Sequence, residues 1–147
     1  MPSTFVQLLH TTLPWLSPTG RRVVEAVVVS RGALRGADAL AHAAGLANRH
    51  QLKRQLGREG LPPIESLCGW IRVLSWVMEW ERTGIALSRS ALKEGRDPAI
   101  RFRCVKRTTG YTWGEVQRLG SLWVLLQLME RCQRPSGGMA NMEVECA

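Results

Sequence analysis

Two sets of side chains stand out by type and spacing: Asn48, Arg49, His50, Gln51, Lys53, Arg54 and Arg58 in one window, and Arg96, Ile100, Arg101, Arg103, Lys106 and Arg107 in another. Guanidinium and ammonium groups donate to phosphate oxygens; arginine also matches guanine O6 and N7 in a bidentate pair, and glutamine does the same with adenine. Residues 48–62 carry a net +3 and residues 96–110 a net +4, nearly the whole formal charge of +8 on 147 residues. Residues 63–95 between them are neutral and apolar. Two basic windows on either side of such a spacer suggest two phosphate-contacting elements held by one connector; the plainer alternative is two solvated helix faces.

Other chemistry is hard to find. Cys68, Cys104, Cys132 and Cys146 are widely spaced, with no CxxC pair and no zinc-type Cys/His cluster, so a structural metal is not expected. His10, His42 and His50 lack a carboxylate or cysteine partner nearby in sequence. No phosphate-cradling glycine loop or nucleophile motif occurs, so neither an enzyme nor a cofactor is expected. The absence of a secretory signal points to reduced thiols and a cytoplasmic protein. The most continuous apolar run, residues 23–29, is interrupted by Glu25 and is far below the ~20 residues that cross a bilayer.

The elements that must position these side chains read as helices throughout. Pro2, Pro14, Pro18 and Gly20 predict an irregular lead-in over residues 1–20 with one short helix. The valine-rich stretch 21–30 lacks alternation and reads as a helix. Asp38 is placed as the N-cap of a short helix over 39–44, ended by Gly45, and Asn48 as the cap of a basic helix over 49–58. From Ile64, apolar positions Leu67, Cys68, Ile71, Leu74 and Met78 recur at helical spacing over 63–82. Twenty helical residues span ~30 Å, close to the ~34 Å repeat of a DNA turn. The pattern then recurs: Ser88 as cap of a short helix over 89–94, Pro98 as the first residue of a second basic helix reaching Gly110. Thr112 and Glu115 form a capping box opening a last helix through Val116, Leu119, Leu122, Trp123, Leu126 and Met129, and residues 133–147 read as a disordered tail.

With Leu52 and Leu56 turned inward, steps of 100° per residue put His50, Arg54 and Arg58 outward and Gln51 and Lys53 on the flanks. Arg54 is the leading base-reading candidate; Arg49 and Lys53 suit phosphates; His50 is equally a base, phosphate or capping contact. In the second window, Phe102 and Val105 inward leave Arg103 and Arg107 outward, with Ile100 either against a thymine methyl or folded onto the core. Arg96, Arg101 and Lys106 are placed for phosphates. The six tryptophans read as core or rim residues rather than base-stacking platforms.

The run Leu40-Ala41-x-x-x-Gly45-Leu46, then Arg49-His50 and Leu52-Lys53-Arg54, resembles the first helix-turn-helix unit of the AraC/XylS family of bacterial transcription regulators. Ala91-x-x-x-Gly95, Phe102 and Val105-Lys106-Arg107-Thr108-Thr109-Gly110-Tyr111-Thr112 resemble its second. The chain departs from the family pattern at Arg96, where an aromatic residue is common, and at Trp113, where proline is. The resemblance covers residues 21–118 and implies a stand-alone DNA-binding domain, with no effector-sensing domain legible.

The fold expected is all-α, about seven helices, with two helix-turn-helix subdomains joined by a long linker helix. The divisions expected are a first unit over 21–62, a linker helix over 63–82, a second unit over 83–118 and a C-terminal helix over 113–132. The expected function is sequence-specific duplex-DNA binding in a bacterial regulator, an activator by resemblance, with recognition helices 48–58 and 98–108 in successive major grooves. RNA polymerase is a further expected partner, the membrane is not, and the chain is expected as a monomer or weak dimer at the nucleoid. Two alternatives are a module docking on another transcription factor or the polymerase, and a non-specific nucleoid-type DNA-binding protein.

Overall fold

The computed structural model describes residues 2–33 and 36–133. They form eight α-helices and, among the described residues, no strand: α1 (Pro2–Thr12), α2 (Pro18–Val29), α3 (Gly36–Ala43), α4 (Arg49–Arg58), α5 (Ile64–Thr83), α6 (Leu87–Lys93), α7 (Pro98–Thr109) and α8 (Trp113–Arg131). Two short helix pairs, α3–α4 and α6–α7, stand on either side of α5 in the chain. Apart from Gln133, the expected tail lies outside the described residues. Gln133 is no free end, because its N–H donates to Gly60 O at 2.9 Å and ties the end of α8 to the turn after α4.

The lead-in is more regular than its prolines suggest. Pro2 and Pro18 occupy first helical positions, where a missing N–H costs nothing, and Ser17 Oγ accepts from Gly20 N to cap α2. Leu9, Leu13 and Leu16 are buried, which fixes α1 and its connector onto the core. In α2, Val23, Val24, Val27 and Val28 follow the i, i+3, i+4 rule and are buried, so position on a helix face outweighs their strand propensity.

α5 is the axle of the structure. It buries Leu67, Cys68, Trp70, Ile71, Val73, Leu74 and Val77 and packs against α2, α7 and α8. Gly69 allows α7 to come close, since a β-carbon there would stand 2.7 Å from Thr108 Oγ1. Trp70 and Trp113 are buried, and Trp76, Trp80 and Trp123 pack half-buried against the same core.

Two expected caps are displaced. α3 starts at Gly36, so Asp38 lies in its first turn and its Oδ1 accepts from Arg49 N at 2.9 Å, across the turn. α6 starts at Leu87, which leaves Ser88 inside the helix and Ala86 at the cap position with no side-chain bond. The capping box of α8 forms as read: Thr112 Oγ1 accepts from Glu115 N at 3.3 Å, and Glu115 Oε1 accepts from Thr112 N at 3.4 Å. The Thr112 hydrogen bonds hold the Glu115 carboxyl below its usual range. Thr112→Ala should lower stability by about 1 kcal/mol, measured as a shift in the urea midpoint; an unchanged midpoint would show that the box contributes nothing.

The last helix is not continuous. Gly120 has φ 88° and ψ 169°, and Glu81 Oε2 accepts from Ser121 N at 3.2 Å to cap the segment that follows. The break changes the helical phase. Trp113 and Val116 are buried before it, Val124 and Leu128 after it, and Leu119, Leu122 and Leu126 are exposed rather than packed.

Candidate nucleic-acid interface

The first basic helix is held from three sides. Leu52 and Leu56 are buried and fix its rotation. Asn48 Oδ1 accepts from His50 N and Gln51 N, both at 3.0 Å, satisfying two of the N–H groups that a helix start leaves free. The Asp38 carboxylate braces Arg49 N from α3, and Gly45, with φ 79°, makes the turn between the two helices. Arg49, His50, Lys53, Arg54 and Arg58 are exposed as a result. Gln51 is half-buried and its Oε1 accepts from Ala47 N at 3.0 Å, which ties its amide back to the turn before the helix.

The second basic helix is capped by Asp97, whose Oδ1 accepts from Ala99 N at 3.0 Å, with Pro98 at the first position. Its rotation differs from the sequence expectation. Arg101, Cys104 and Val105 are the buried residues, whereas Phe102 is 38% exposed and Ile100 58% exposed. Arg101, expected at phosphate, instead reaches inward: Nη2 pairs with Glu94, Nη1 donates to Ser90 Oγ at 3.2 Å, and the guanidinium lies 5.1 Å from the Trp76 ring. An ion pair and a cation–π contact make that burial tolerable. Ile100 lies on the surface and not on the core, and Arg96, Arg103, Lys106 and Arg107 are exposed.

The structure also brings forward two cations outside the basic windows. A cleft of about 490 Å³ between the end of α2, α5 and the α6–α7 pair is lined by Arg31, Arg72, Arg96, Arg107, Trp76 and Ile100, among others. A neighbouring cavity of about 480 Å³ shares Arg72 and Arg107. Arg72 Nε donates to Gly32 O at 2.7 Å, which holds its stem across the junction. Arg31 and Arg72 lie outside the two basic windows in sequence and join the others only through the fold.

Cys68, Cys104 and Cys132 are buried free thiols. Burial raises the pKa of Cys68 and pushes that of Cys132 up to about 12, so neither supplies a thiolate near neutral pH. Cys146 lies outside the described residues. Among the described residues no group of three or more His, Cys, Asp or Glu side chains could hold a metal ion, and no helix is long and apolar enough to cross a membrane. No family model matches the chain, and no curated protein or solved structure matches it.

Proposed function

We propose that the chain binds duplex DNA with sequence preference through α4 and α7, and that it acts as a bacterial transcription regulator of the activating kind. The single observation that carries this reading is a repeated arrangement. Each of two short helix pairs ends in a side-chain-capped helix with a row of exposed cations, and a helix of 20 residues joins the pairs. Such a helix is ~30 Å long, so recognition helices at its two ends suit successive major grooves. Arg54 reads a base edge, helped by His50; Arg49, Lys53, Arg58, Arg96, Arg103, Lys106 and Arg107 hold phosphates; and exposed Ile100 contacts a thymine methyl.

Selection from random duplexes followed by titration at several salt concentrations tests the reading. Arg54→Ala should relax preference at one base position by ~1–3 kcal/mol, and Lys106→Ala should weaken every duplex alike and reduce the salt slope by about one. A chain that binds selected and bulk duplexes equally is not a sequence reader. One that ignores both at low salt does not bind DNA.

A further inference from the structure

The second segment of α8, from Ser121 to Arg131, is apolar nearly all round: between Leu122 and Met129 only Gln127 is polar. A helix of that composition is ordinarily covered on every side. Here α5 and the core cover Val124 and Leu128, and Trp123, Leu125 and Met129 pack partly against them, while Leu122 is 67% and Leu126 52% exposed. Tyr111, edge-on to Trp123 at 5.4 Å and itself 42% exposed, extends the apolar surface. No described residue covers this face.

We infer that this face is a dimer interface, and that its occupant is the same face of a second copy of the chain. Charge selects that partner. At +8 overall two copies repel, yet residues 111–133 hold two acidic and two basic side chains, so copies that meet at this apolar face do so without a local Coulomb penalty. A lipid surface or an acidic protein would call for a net basic rim, and here Glu115 and Glu130 balance Arg118 and Arg131. Register selects it too. Leu122 and Leu126 lie ~40° apart in projection, on either side of the direction opposite Val124. A two-fold axis crossing the helix at the level of Val124 therefore sets Leu122 of each copy against Leu126 of the other, the self-complementary contact that closed symmetry requires. Eleven residues span only ~16 Å, so the buried area falls below the ~1,200 Å² of stable complexes and the dimer is weak and concentration-dependent. The inference does not depend on duplex binding.

Sedimentation equilibrium of the full chain over a range of concentrations tests it. The wild-type mass should rise from 16.4 kDa towards twice that value. Leu122→Glu and Leu126→Lys should each stay at one mass, with thermal unfolding unchanged because both positions are exposed. An equal mixture of the two variants should recover the dimer, because in the mixed pair the introduced charges meet as opposites. A wild-type chain of one mass throughout overturns the proposal, as does a dimer indifferent to Leu122→Glu. A mixture that stays monomeric while the wild type dimerises overturns the Leu122–Leu126 register. If dimers appear only once residues 134–147 are removed, the face belongs to that segment and the proposal also fails.

Discussion

Gly20→Ala should cost about 3 kcal/mol of folding stability, although alanine is the better helix former. Gly20 sits in the first turn of α2, and a β-carbon there would land on the carboxylate of Glu59. That carboxylate cannot easily give way. Glu59 is buried, accepts from Ser17 N at 2.5 Å and from Gln55 Nε2 at 2.8 Å, and its own backbone oxygen accepts from Trp15 Nε1 at 2.9 Å. Moving it aside strands the Ser17 N–H at the helix start, which costs about 1–3 kcal/mol, and leaves the Gln55 amide only its 3.3 Å bond to Ser17 Oγ; keeping it in place forces overlap. Gly57→Ala in α4 is the control, since a β-carbon there meets nothing within 4 Å, and it should stabilise by up to about 1 kcal/mol. Urea unfolding of both variants is the measurement. Equal effects at the two glycines would mean that Glu59 is not fixed.

Arg101→Ala should cost about 2–4 kcal/mol, and Arg101→Met much less. Truncation opens a space beside Trp76 where α5, α6 and α7 meet, and leaves the buried Ser90 hydroxyl without its donor. Methionine refills the apolar part of that space. Glu94 is 54% exposed, so solvent screens its half of the ion pair, and Glu94→Gln should change stability by less than about 1 kcal/mol. The same variants separate a packing role from a DNA-contacting one. Under conditions where both are folded, Arg101→Met should leave the salt slope of duplex binding as it is, and Arg103→Ala should lower it by about one. A lowered slope for Arg101→Met would put its guanidinium at a phosphate after all.

What could be read from the sequence was local. The rotation of α4 follows from Leu52 and Leu56 a turn apart, and its start from Asn48, with both causes inside the helix itself. The all-helical architecture and the long central helix follow from periodicity in the same way. α7 defeats that reasoning because its large apolar residue, Phe102, faces out, while Arg101 is drawn in by partners on α6 and α5 that no helical wheel contains. In α8 apolar residues on every side leave periodicity without a phase, so Gly120 could break the helix unannounced. Asp38 was legible as a residue that binds a helix-start N–H, but the N–H it binds is that of Arg49 on the next helix. The candidate site divides along the same line: α4 contributes the exposed cations expected of it, α7 exchanges Arg101 for Ile100 on its surface, and Arg31 and Arg72 join only through the tertiary cleft.

α5 is gripped by buried side chains over more than half its circumference, from Val73 round to Cys68. A rod held in that way cannot roll, so the helix pairs before and after it are fixed in azimuth as well as in separation. On a duplex with ~10 base pairs per turn, one inserted pair rotates the next half-site by about 35°, a change that long side chains on a rigid frame cannot follow. For a duplex-binding chain, the number of base pairs between half-sites thus becomes part of the recognised sequence, read by no side chain at all.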